Sequence, residues 1–543
     1  MENKNLIIAV VLCLIILFGW GRFAEYMGWV KPAPPVEDAP TPVRETPAQA
    51  TQLPAFEPSP GRDFTVSTPL YEAVFYTGGG PLRSFVLKRY HDGILPDSQL
   101  VNLVDPLTAK VAPLGLVINS QPSWSTGQWQ LEGDATGLSL AAREKGSFAL
   151  IGFVDGIQVR RQFSIDADTY LISEKVTFTN GGDQGRSVRA TFTQAMDASH
   201  TSGSQYDSMR IAWDENGKLD DETSAKTLQT TGMIATGRIW WAGPMSTYFL
   251  ACALPGKPDG VTVKGRLQDS VYRVGVEPEE VYVPGGQSVD LEVSYWTGPK
   301  DRQQMLAVSD QLAKSIDLGY FSIIAKGLLW ILEYIHKYVN NWGVAIILLT
   351  FLIKGIFWPL TAKSYASMEK MKQLQPMMNA IREKYKDNRE QMNKEVMALY
   401  KTYGVNPASG CVPILVQLPV FFGLYQALLT SLALRHASFI TYLPGTDIIW
   451  LADLAAKDPL YITPVVMGVT MFLQQRMSPP PADPMQRKIM MFLPLIFTVL
   501  FLNFPSGLVL YWLVNNVLSI LQQWLMMRKT QKPVAPKTSA KAG

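Results

Sequence analysis

The sequence predicts a polytopic α-helical membrane protein carrying one exported all-β sandwich domain. Of its 543 residues, 47% are hydrophobic and only 17% charged, against about a quarter charged in an average soluble domain. The apolar excess is concentrated, crowding 6–20 and 342–526, whereas 60–310 has ordinary soluble composition. That middle stretch alternates with period two, the mark of half-buried strands. A purely cytosolic protein and a single-span anchor are excluded by this distribution. The net charge of +3 gives no reason to expect DNA as a partner. Cys13, Cys252 and Cys411 fall in segments of different character, with no CxxC pair and no Cys/His cluster. Neither a disulfide framework nor a metal site is therefore expected, and no motif calls for a cofactor.

Taken in order, the first apolar run is Leu6 to Trp20, preceded by Lys4. A cleaved signal peptide is the alternative, but Gly21 to Tyr26 offers no clear small-x-small site, and Leu12 before Cys13 makes a poor lipoprotein site. Residues 1–29 therefore read as an N-terminal signal anchor. Residues 30–61 are dense in Pro with Ala and Thr, an extended tether that cannot pack a core. The β-sandwich follows over 62–310. Its strands include Ile157–Ile165, Tyr170–Thr179 and Val289–Tyr295, separated by turn signals at Gly78-Gly79-Gly80, Asn180-Gly181-Gly182 and Pro284-Gly285-Gly286. His91 and His200 could be imagined as a sugar-processing pair; as surface or turn histidines they need no such role, and no catalytic function is expected. From Gln303 the period changes, and 311–341 is expected to form an interfacial helix region. Leu318–Val339 reads as an amphipathic helix lying in the membrane interface.

Five further apolar stretches complete six transmembrane helices: Trp342–Leu360, Val412–Leu432, Leu460–Met477, Ile489–Phe504 and Leu508–Met527. The 361–410 connection carries nine Lys/Arg against five Asp/Glu, while 433–459 has only Arg435 and Lys457 as cations. The tail, 528–543, holds Arg528, Lys529, Lys532, Lys537 and Lys541. The positive-inside rule puts 361–410 and both termini in the cytoplasm and the β domain outside. Several spans fall short of the roughly 20 residues that cross hydrocarbon, which implies local thinning of the bilayer.

Inside the second span sits Lys354. A charge at the centre of a helix in lipid costs about 2.5–3.5 kcal/mol on the most lenient scale. It lies roughly 13 Å along the helix from Lys363, too deep to snorkel comfortably. The cores of the other spans contain no Asp or Glu, so no internal counter-ion is available. Either the amine is neutral in a dry core, or it faces a hydrated cavity. Thr350, Gln417, Asn503, Asn515 and Asn516 favour water, as candidates to line a wet groove between helices. The alternative is that each is separately satisfied by nearby backbone. A cation with no internal partner attracts an anionic group supplied from outside the chain.

Between the second and third spans, Met368, Met371, Leu374, Met378, Ile381 and Tyr385 form one helical stripe, and Met392, Val396, Leu399 and Tyr403 another. They predict an antiparallel hairpin over 362–404, turning at Lys386-Asp387-Asn388-Arg389, with Pro376 kinking its first arm. The methionines serve either to pack the hairpin on itself or as an adaptable surface for apolar segments. The basic excess beside the membrane would attract anionic lipids or ribosomal RNA.

Longer motifs now enter: Asn341-Trp342-Gly343, an intramembrane cation followed by Gly355, Pro359-Leu360-Thr361, Asn406-Pro407 with Gly410-Cys411, and Gln417-Leu418-Pro419-Val420-Phe421. To these add Asp483-Pro484-Met485-Gln486 and the run from Phe504 to Trp512. Together they resemble the YidC/Oxa1/Alb3 membrane protein insertases, densely over 342–527, and the whole chain resembles the Gram-negative form with its large periplasmic domain. The family usually carries Arg at the intramembrane position, where this chain has Lys354. The resemblance implies a five-helix insertase core over 342–527 in the bacterial inner membrane. It implies insertion and folding of nascent membrane proteins, alone or with the Sec translocon and the ribosome. The hydrophilic end of a substrate would enter the groove while its apolar segment slides into lipid. Leu418, Phe421 and Phe422 on the third span, Phe497 and Phe501 on the fifth, and Tyr511 and Trp512 on the sixth are the expected substrate contacts. The rival reading is a secondary transporter or channel for an anionic solute, weakened by the lack of an inverted repeat.

Overall fold

The computed structural model describes residues 60–95, 97–125, 128–198, 208–405, 412–478 and 484–529. The expected anchor, most of the Pro-rich tether, His200, Asn406-Pro407, Gly410-Cys411, Asp483 and the tail beyond Lys529 lie outside the described residues.

Strands run from Asp63 to Pro299. The three read from the sequence are Ile157–Asp166, Leu171–Thr179 and Ser288–Pro299, neighbours in a nine-stranded sheet with antiparallel register Val159 to Phe178 and Val176 to Leu291. Alternation works as it should: Val159, Arg161, Phe163 and Ile165 are buried, whereas Arg160, Gln162 and Ser164 reach toward solvent. A six-stranded sheet built around Ala190–Asp197 packs on this one through Ile239–Met245 and Phe249–Pro255. A five-stranded sheet holds Asp63–Ser67, Tyr71–Tyr76 and Leu82–His91. One ion pair is sunk in the shared core. The Arg161 guanidinium donates to Glu174 at 2.5 Å and to the carbonyls of Leu114 and Gly79, and the Tyr295 hydroxyl donates to Glu174 at 2.7 Å. Gly79, at φ +106°, makes the turn that brings its carbonyl there.

Beyond the sheets come eight helices that concern the site: α1 Ser322–Val339, α2 Trp342–Gln373, α3 Gln375–Lys384, α4 Arg389–Tyr403, α5 Val412–Thr430, α6 Ile462–Met477, α7 Pro484–Phe501 and α8 Ser506–Lys529. Among the described residues, α2 and the Ser506–Met526 part of α8 are long and apolar enough to cross a membrane; Leu415–Thr430 and Met490–Phe501 are shorter apolar helices. The second expected span was to end at Leu360. Instead α2 runs on to Gln373, because nothing between those residues breaks a helix, so the span and the start of the first hairpin arm are one rod, and α3 completes the arm. The first arm is interrupted at Leu374, just before Pro376. The proline occupies the first turn of α3, where a missing N–H costs nothing.

The hairpin packs on itself. Leu374, Met378, Tyr400 and Val405 are its buried residues, and the Tyr400 hydroxyl reaches the Met378 sulfur at 2.9 Å. Asn388 caps α4 by accepting from the Gln391 N–H at 3.0 Å.

The corner between α1 and α2 explains the Asn341-Trp342-Gly343 motif. Asn341 accepts from the Val344 N–H and donates to the Phe439 carbonyl, each at 3.0 Å. Trp342 stacks on His336 with ring centres 3.9 Å apart. A side chain at Gly343 would collide with the Phe439 ring. The segment after α5 thus ties the start of α2 to the β domain, where Arg435 donates to the His91 carbonyl at 2.7 Å.

Candidate functional site

Lys354 sits in mid-helix on α2 with 6% of its surface exposed. Thr350, one turn earlier, is fully buried and returns its hydroxyl to the Ile346 carbonyl at 2.7 Å. Facing them on α8, Asn515, Ser519 and Gln522 recur at four- and three-residue spacing, a single polar stripe on an apolar rod. The Lys354 amine donates to the Ser519 hydroxyl at 2.7 Å, and that hydroxyl donates to the Asn515 carbonyl at 2.6 Å. Farther along the same seam, Gln522 donates to the Thr361 hydroxyl at 2.8 Å. On the neighbouring face of α8, Asn516 reaches Thr470 of α6 at 3.4 Å.

Among the described residues no carboxylate pairs with Lys354. An ammonium with three donors and one neutral hydroxyl as partner keeps most of its hydrogen-bonding capacity unused. Nearby helices carry more of the same. Gln417 Nε2, Gln475 Oε1, Asn515 Oδ1, Gln523 Oε1 and Trp512 Nε1 are buried without a protein partner. Buried polar atoms are almost always satisfied, so this many open ones call for water or a polar guest.

Asn503 stands apart from the seam. It is exposed in the turn between α7 and α8, next to Ser506, whose N–H and hydroxyl bond to the carbonyls of Ala456 and Asp453. Ser519 lies thirteen residues farther along α8, about 20 Å by helical rise. Asn503 therefore belongs to the end of the bundle that faces the β domain, not to the polar seam.

The aromatic residues form a joint between α5, α7 and α8. Trp512 is its centre, with Phe421 at 4.8 Å, Phe501 at 5.5 Å and Phe497 at 6.2 Å between ring centres. Phe501 and Tyr511 are 1% and 2% exposed, so in this state they are core residues rather than open contacts. Phe422 turns away and stacks on Phe321. Leu418 is half-buried on the α5 surface. Sequence reasoning missed Ser519, Gln522 and Thr361 as members of the seam. The spacing of polar residues along α8 was the signal for the first two.

The chain thus joins a β domain to apolar helices, two of them long enough to cross a membrane, with a cation buried between those two. Comparison with known proteins goes further. Residues 334–533 match the family described as 60Kd inner membrane protein, and residues 63–331 match the YidC periplasmic domain. Relatives named membrane protein insertase YidC include one from Nitratidesulfovibrio vulgaris (strain DSM 19637 / Miyazaki F), 53% identical over 97% of this chain and all of the relative. Another, from Oleidesulfovibrio alaskensis, is 49% identical over 98% of this chain and all of the relative. A crystal structure of an active YidC insertase aligns over 87% of this chain and 95% of its own, at 19% identity and a TM-score of 0.34. The chain belongs to the YidC family of membrane protein insertases.

Proposed function

We propose that this protein inserts nascent membrane proteins into the bacterial inner membrane and assists their folding, with Lys354 as the charge that receives their hydrophilic segments. The observation that carries the reading is the Lys354 seam. A cation buried between α2 and α8 has one neutral partner, amid polar atoms left open. In the bilayer such an arrangement lowers the cost of partly dehydrating a short polar or acidic segment. Burial of about 20 apolar residues in lipid then drives the step without ATP. No enzymatic chemistry is needed.

On this reading α2, α5, α6, α7 and α8 form the five-helix core, and the anchor at 1–29 supplies a sixth span. The hairpin and both termini face the cytoplasm, with the β domain in the periplasm. Gln417, Thr350, Asn515 and Asn516 hydrate the groove beside Lys354. Substrate leaves between α5 and α7, past Leu418, Phe421, Phe422 and Phe497, and meets Phe501, Tyr511 and Trp512 when the aromatic joint opens. The ribosome and anionic lipids meet the basic hairpin, and the Sec translocon is a further partner. The transporter or channel reading is not supported by the family match. Full-length protein in liposomes tests the proposal. Membrane insertion of a small coat-protein-like substrate is expected, whereas saturable flux of an anionic solute without insertion would overturn it.

A further inference from the structure

Where the β domain meets α1, two cavities of about 460 and 410 Å³ lie side by side and share Arg302, Lys326, Ile316 and Leu318. Arg302 and Lys326 are exposed into them, and among the described residues neither side chain makes an ion pair or hydrogen bond. The carboxylates of the same walls are largely committed elsewhere. Asp301 caps the following helix by accepting from the N–H groups of Gln303 and Gln304, and Asp317 accepts from that of Gly319. Glu333 lies two turns along α1 from Lys326, about 10 Å away by helical rise, and interacts with Arg302 through charge alone, with no salt bridge between them. Asp310 lines only the second cavity. Leu318, Leu329 and Trp330 supply an apolar flank to the first.

The position of this cleft relative to lipid follows from α1 itself. Trp330, Tyr334 and Tyr338 succeed one another at four-residue spacing, 53–69% exposed, their rings in contact at 5.9 and 5.2 Å. A row of exposed amphipathic rings is the signature of a helix at headgroup level. Trp330 belongs both to this row and to the cavity wall. A ligand here would have its charged end between Arg302 and Lys326 and an apolar part running over Leu329 and Trp330 toward the bilayer.

We propose that this cleft seats the phosphate-bearing headgroup of an anionic phospholipid from the leaflet next to the β domain. Two cations without a salt bridge or hydrogen bond match one phosphodiester, the volumes suit a glycerophosphate headgroup rather than a large solute, and the adjoining apolar strip accommodates the start of an acyl chain. The inference requires α1 at the membrane surface and is independent of the insertion reading.

The test uses the full chain in neutral detergent, titrated with short-chain phosphatidylglycerol, with phosphatidylcholine of the same chains and with inorganic phosphate. Saturable binding of phosphatidylglycerol is expected. The double variant Arg302→Gln/Lys326→Gln should weaken it roughly 25-fold, about fivefold for each cation at a lipid surface. Lys337→Gln, on the same helix outside the cavities, should leave it unchanged. Should the double variant fail to fold, Lys326→Gln alone is expected to weaken binding about fivefold. Equal affinity for phosphatidylcholine, or equally tight binding of inorganic phosphate, would overturn the proposal. So would unchanged affinity in the Arg302/Lys326 variants, or a loss as large with Lys337→Gln.

Discussion

A lysine amine inside a helix bundle must be held, hydrated or neutralised, and Ser519 is the group that holds Lys354. Losing one hydrogen bond to a charged donor costs about 1.5–3 kcal/mol when nothing replaces it. Ser519→Ala should therefore lower the thermal midpoint of the core, while water in the seam would reduce the loss. A larger effect is expected in the β domain. Glu174→Ala leaves the Arg161 guanidinium buried without its carboxylate, which costs about 3–5 kcal/mol, and denaturant unfolding of the variant would read it directly. Lys354 was legible in the sequence because a charge within an apolar run has few innocent explanations. Ser519 was not, since a hydroxyl on such a helix usually bonds its own backbone. Asn503 was legible as the end of its span, but which rim that end occupies relative to Lys354 was not; the turn before Ser506 places it at the far one.

Helices α5, α7 and α8 meet through rings, and Trp512 is their common contact. Truncating a fully buried aromatic costs about 3–5 kcal/mol and a half-buried one less, so Trp512→Ala should loosen the α5–α7 seam by a part of that, seen as faster hydrogen exchange in both helices. Trp512→Phe should retain most of the packing. Photo-crosslinkers placed singly at Phe421, Phe501 and Trp512 address the exit path: adducts are expected to advance with substrate length, and adducts confined to the hairpin would place substrate elsewhere. Period-two alternation made the strands from Ile157 to Thr179 readable. The continuity of α2 past Leu360 was less so, because the change from apolar to basic composition marks the membrane surface and not the end of a helix. Close crossings such as Gly468 against Thr498 depend on three-dimensional approach and leave no local trace.

At the scale of the whole molecule, no residue of the Lys354 seam comes from the β domain, yet the domain is not simply tethered. Leu432 and Ala455 pack against its core, and Arg435 bonds the His91 carbonyl. Removing 62–300 while keeping α1 should leave insertion largely intact but lower the thermal midpoint of the helical part, and loss of insertion from a correctly folded core would give the domain a direct role. The central claim concerns charge in the seam, and insertion into proteoliposomes measures it most directly. With paired substrates that differ only in the charge of their translocated segment, Lys354→Arg should insert both as the natural chain does, because the guanidinium keeps the charge. Lys354→Ala should insert the uncharged substrate normally and the acidic one several-fold more slowly. Equal rates for both substrates with Lys354→Ala would contradict the account and remove Lys354 from the mechanism.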